Sequence, residues 1–96
     1  MANLSSILDP QNLPLPPKPL VEAIEYQEII DSIGDPAIDI TLVLAESTTD
    51  EERHWRNIQP IVDIISDALM KAGDDRFPYI RSLKPSELRE IAAGRV

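Results

Sequence analysis

The side chains best suited to chemistry in this 96-residue chain are one histidine and a few carboxylates. His54 is the only histidine, and Asp50 and Glu51 stand one helical turn before it. That spacing puts a carboxylate within reach of the imidazole, as a proton relay or a metal site would need. A metal requires three or four ligands, and the chain has no second histidine and no cysteine. His54 therefore reads as an exposed helix-surface residue. Asp63 and Asp67 are an i, i+4 pair of acids, the arrangement of general acid–base work or Mg²⁺ binding. They alternate with Ile64, Ile65, Ala68 and Leu69, as the polar side of an amphipathic helix does. All three glycines follow apolar periodic runs, which leaves none for a phosphate-cradling loop. No P-loop, dinucleotide fingerprint or G-x-S-x-G elbow is present. These residues predict a protein that is not an enzyme, with no cofactor, no metal and no small-molecule substrate.

The elements that would position such residues read as helical. Residues 47–72 carry the strongest signal. Thr49-x-x-Glu52 has the form of a capping box, and Trp55, Ile58, Val62, Ile65 and Leu69 recur at steps of three and four. Pro60 predicts either a kink or a restart, and Gly73 a stop. Residues 20–33 read as a second helix, with Tyr26, Ile29, Ile30 and Ile33 on its buried face and Gly34 closing it. Residues 37–45 fit two readings. Ile38, Ile40, Leu42 and Leu44 alternate as in a strand, yet Asp35 and Pro36 could start a short buried helix. The helix is preferred, because no other segment reads clearly as a strand and a lone strand lacks a partner edge. Phe77-Pro78-Tyr79-Ile80 reads as an aromatic plug, and Pro85 to Ala93 as a last helix with Leu88, Ile91 and Ala92 inward. The predicted fold is mainly α: a small bundle of three to five helices over residues 20–96, behind an extended Pro-rich arm at 1–19.

Charge narrows the partners. The formal net charge is −8, and residues 1–52 hold eleven acids against one base, Lys18. Such a surface disfavours nucleic acid and anionic membranes. No apolar run approaches a bilayer span, and Ser5, Ser6, Asp9 and Pro10 break up any signal-like stretch. The expected setting is cytoplasmic synthesis, and the expected partners are other protein subunits, a second copy of the chain among them. In the arm, Leu13, Pro14, Leu15, Pro16, Pro17 and Pro19 favour polyproline II with leucines on a sticky side, so they are candidate partner-binding residues. Trp55 is first a core anchor and second an interface hot spot.

Leu13-Pro14-Leu15-Pro16, followed by Val21-Glu22-Ala23-Ile24-Glu25-Tyr26-Gln27-Glu28-Ile29-Ile30, resembles the start of baseplate J-like proteins of contractile phage tails. Residues 41–47 and 52–56 resemble later parts of that family's N-terminal helical region. The chain departs from it in a shorter spacing between those two pieces and in lacking the large body that follows. The resemblance implies a non-enzymatic virion component of a tail or baseplate, held by arms and helices lying on neighbouring subunits. The alternative is a small acidic inhibitor or adaptor that covers a basic surface.

Overall fold

A computed structural model describes residues 3–94 and shows an α+β domain, not a helical bundle. A short helix α1 (Leu4–Ile7) and a 3-10 turn (Pro10–Asn12) lead into strand β1 (Val21–Ile30). Then come β2 (Pro36–Leu44), helix α2 (Trp55–Lys71), β3 (Phe77–Leu83) and helix α3 (Pro85–Ala92). The strands form one mixed sheet in the order β1-β2-β3, with β1 antiparallel and β3 parallel to the central β2.

The first correction is at residues 20–33, which are strand and turn. Asp31 to Asp35 close the hairpin. The N–H of Gly34 donates to the Asp31 carbonyl (3.0 Å), and the N–H of Asp31 to the Asp35 carbonyl (2.9 Å). Gly34 has φ +89°, so a type I turn is completed by a glycine bulge, a common three-residue hairpin closure. Gly34 thus does end its element, but the element is a strand. The second correction follows from the first. With β1 on one side and β3 on the other, both backbone edges of β2 are satisfied, and residues 36–44 form the central strand instead of a helix.

Strand alternation then sorts the side chains. Ile38, Ile40, Leu42 and Leu44 are fully buried and meet Ile58, Ile61, Ile65 and Leu69 of α2 in one core. The buried stripe of α2 includes Ile61 and omits Trp55, whose side chain is 61% exposed. Trp55 is therefore not a core anchor: it opens the first turn, ahead of the residues that reach the sheet. The helix starts there, five residues later than the Thr49 pattern suggested. Thr49 and Glu52 do exchange bonds (Thr49 N–H to Glu52 Oε1, 2.9 Å; Glu52 N–H to Thr49 Oγ1, 3.1 Å), but they close a turn ahead of the helix. α2 runs on through Pro60 without a break. It ends where expected, with Gly73 at φ +81° donating to the Met70 carbonyl and Asp74 to that of Leu69, a Schellman closure.

The N-terminal segment is not an extended arm. Leu4 and Leu8 are buried in the core, and Leu13 and Leu15 pack against it from the side. At the other end of the sheet, α3 is tied down by polar contacts. Arg53 donates to Glu87 Oε2 and to the Ser82 carbonyl, both at 3.1 Å. Glu46 accepts from the Ser86 N–H (2.9 Å) and hydroxyl (2.7 Å). Of the three α3 residues expected to face inward, Leu88 is half-buried, while Ile91 and Ala92 are exposed.

These contacts carry a pH dependence. The Ser86 hydroxyl and N–H hold Glu46 below its ordinary 4.5. The Lys84 N–H and then the Arg53 guanidinium do the same for Glu87. A carboxylate whose folded pKa is depressed contributes stability that is complete above its ordinary pKa and is lost as pH falls through the folded one. Urea midpoints should therefore be flat from neutrality down to about pH 5 and fall steadily below about pH 4.5. A midpoint that rises on acidification below that pH would contradict the assignment.

Candidate protein-docking site

The residues singled out for chemistry are occupied locally. His54 caps α2, with Nδ1 accepting from the Arg56 N–H (3.3 Å) and Nε (3.2 Å). Asp63 accepts from Gln59 Nε2 at 2.7 Å, and Asp67 pairs with Lys71 at 2.9 Å. Among the described residues, no three His, Cys, Asp or Glu side chains gather as a metal site would require. Nor is any helix among them long and apolar enough to cross a membrane.

The arm residues divide between core and solvent. Pro19 is buried, Leu13, Leu15 and Pro16 are half-buried, and Pro14 and Pro17 are exposed. The sticky side formed by Leu13 and Leu15 is turned onto the chain's own core. What remains outward is proline and the Lys18 side chain.

A different surface stands out at the hairpin end of the sheet. Phe77 and Tyr79 lie on the face opposite α2, because they pair with Ala37 and Asp39 and not with the core-facing isoleucines of β2. Their rings form a tilted pair with centroids 4.7 Å apart. Phe77 is 60% exposed and Tyr79 43%, so neither plugs the core. Ile33, at the tip of the hairpin, is 80% exposed. These three apolar side chains border one cleft of about 480 Å³, together with the carboxylates of Asp31, Asp35 and Asp75.

The cleft is built stiffly at its base. Asp31 Oδ1 accepts from the N–H groups of Asp35 (2.9 Å) and Ile33 (3.1 Å), and the Tyr79 hydroxyl donates to Oδ2 (3.2 Å). The Asp35 N–H foremost, and then those other donors, keep the Asp31 carboxyl below its ordinary 3.8. Burial, and then the hydrogen bond to Asp31, push the Tyr79 phenol above its usual 10.0. Among the described residues, the one cation at the cleft is Arg76, and it is already engaged. It binds Asp74 Oδ2 at 2.6 Å and also holds Glu28, and Asp74 with Glu28 raises its pKa further. The cleft thus presents apolar surface inside an acidic rim.

No family model, curated protein or solved structure matches the chain. The phage-tail and baseplate reading gains no support from those comparisons, and the helical bundle that went with it is corrected to a small α+β domain. Of the segments that carried the resemblance, Val21–Ile30 is β1 and residues 41–44 belong to β2, while Trp55 and Arg56 open α2.

Sequence reasoning missed Ile33, Phe77 and Tyr79 as surface residues. Asp31-Ser32-Ile33-Gly34-Asp35 between two β-branched runs was the signal that could have found Ile33, since it marks a hairpin and so a loop tip; Phe77 and Tyr79 had no such signal. The acidic surface also proves divided. Glu25 lies on the open face of the sheet, Glu28 holds Arg76, and Asp31 holds the turn. Reversing all three charges together would break the fold's own contacts as well as any docking.

Proposed function

We propose that this chain is a non-enzymatic docking subunit that packs the hairpin end of its sheet against a basic, partly apolar surface of another protein. The observation that carries the reading is the convergence of Ile33, Phe77 and Tyr79 on one cleft rimmed by Asp31, Asp35 and Asp75. Leaving three large apolar side chains in water at one place gains nothing for folding, whereas aromatic anchors inside a charged rim match the anatomy of interfaces. The acidic rim selects a basic partner and speeds encounter at low salt.

The site is tested by comparing the wild-type chain with the Ile33→Ser/Phe77→Ser double variant as baits, then by calorimetry on whatever purified partner the wild type retains. Both side chains are exposed, so the variant should keep the wild-type urea midpoint. It should lose at least about tenfold in affinity, and wild-type binding should weaken as salt is raised. Equal retention of the partner by both baits would remove the tip as the docking site.

A further inference from the structure

The two outer edges of the sheet are not alike, and the difference points to a second recognition mode. In an antiparallel pair, hydrogen-bonded and non-bonded residue pairs alternate. Asp31 is bonded to Asp35 at the turn, so the register assigns the bonded pairs to Ile29, Gln27 and Glu25 opposite Ala37, Asp39 and Thr41. Pro36, which has no N–H, accordingly falls in a non-bonded pair with Ile30. The backbone N–H and C=O groups of Ile24, Tyr26, Glu28 and Ile30 therefore turn to the outer edge of β1. Among the described residues nothing bonds to them, and no strand lies beyond β1.

β3 shows a partly blunted edge in the same molecule. Ile38, Ile40 and Leu42 turn their backbone groups toward β3, so Phe77, Tyr79 and Arg81 bond inward and Pro78, Ile80 and Ser82 face out. Pro78 has no donor, and the Ser82 carbonyl is taken by Arg53 at 3.1 Å. Proline and a bound side chain are the usual means of blunting an edge. β1, ten residues long, contains neither proline nor lysine.

We infer that the free edge of β1 accepts an extended, Lys- or Arg-bearing segment of another protein as a fourth strand of the sheet. The inference rests on the reading that the chain works by docking to other proteins, but it concerns a different surface and a different kind of contact. Charge selects the occupant. β1 carries Glu22, Glu25 and Glu28 and no base of its own, so a second copy would bring six carboxylates to one seam, of which only the two Glu28 groups are already held by Arg76. A basic strand meets the same seam with opposite charge. Shape agrees: on the helix side, Tyr26 and Glu28 border a groove of about 710 Å³ shared with Leu4, Asp74 and Arg76. Alternate side chains of the added strand enter that groove, and those between them lie beside Glu25 on the open face.

The probe is the synthetic peptide Lys-Val-Lys-Val-Thr-Val-Lys-Val-Lys, with a version in which every Lys is Glu and a version N-methylated at alternate residues. The wild-type chain is expected to bind the basic peptide and not the acidic one. Glu28→Pro removes an outward donor, much as Pro78 lacks one in β3, and should weaken binding at least about tenfold beyond Glu28→Ala, which removes the same carboxylate but keeps the N–H. N-methylation should abolish binding with the protein untouched, which keeps the test valid if the proline variant does not fold. Failure of the wild type to bind the basic peptide overturns the proposal. So does equal binding of the parent and methylated peptides, which would mean attraction by charge alone. A wild-type dimer that Glu28→Pro dissociates would make the occupant a second copy, against the proposal. Ile33→Ser/Phe77→Ser should bind the peptide normally, so failure at the edge and failure at the tip are distinguishable.

Discussion

Removing residues 1–16 should leave the rest of the chain unfolded at 25 °C. Read as an arm, this segment could be cut away with the helices intact. In the structure it supplies Leu4 and Leu8 to the core and lays Leu13 and Leu15 beside them. A leucine buried as Leu8 is, at 2% exposure, costs about 2–5 kcal/mol when truncated to alanine. Losing two such residues removes a large part of the roughly 5–15 kcal/mol that holds a domain together. The truncation should therefore abolish the near-ultraviolet circular dichroism signal and the cooperative urea transition. Leu8→Ala alone should keep the transition but move its midpoint down by about 1 M or more. A truncated chain with the full-length midpoint would show that these leucines contribute no core.

The second large effect separates a three-stranded sheet from a helical bundle. Ile40 and Ile30 both lie on the helix side of the sheet by register, but Ile40 is in the central strand and fully buried, whereas Ile30 is 67% exposed at the end of β1. Ile40→Ala should cost about 2–5 kcal/mol, because the cavity is closed in by α2 on one side and by the backbones of β1 and β3 on the others. Ile30→Ala should cost under about 0.5 kcal/mol, as surface changes do. Had residues 20–33 been a helix with Ile30 on its buried face, the second substitution would cost as much as the first. Chemical denaturation of the two variants decides this directly, and comparable losses would contradict the register.

Elements whose local chemistry admits one answer were legible from residue order alone. α2 was legible from Ile58, Ile65 and Leu69 at helical spacing, with Gly73 as its stop. α3 was legible from Pro85 and Glu87 at its start. Gly34 was legible as the end of whatever preceded it. His54, Asp63 and Asp67 were legible as solvent-facing side chains: all three are exposed, and each has a local bond.

At 20–45 the choice between strand and helix depended on long-range pairing. Tyr26, Ile29, Ile30 and Ile33 fit a period of 3.6, whereas Ile24, Tyr26 and Ile30 fit a period of 2 that Glu28 interrupts. The choice between them is not local. β2 is a strand because β1 and β3 satisfy both of its edges, and β1 is a strand because β2 is there to pair with it. A segment judged alone loses that mutual support, so one misread strand made its neighbour look partnerless. The candidate docking surface depended on the same step. Ile33 lies 44 positions before Phe77 and 46 before Tyr79, and they share a cleft only because a crossover through α2 returns β3 parallel to β2 at the hairpin end. Free backbone at β1 and blunted backbone at β3 were likewise hidden, since an edge exists only once the order of strands is known.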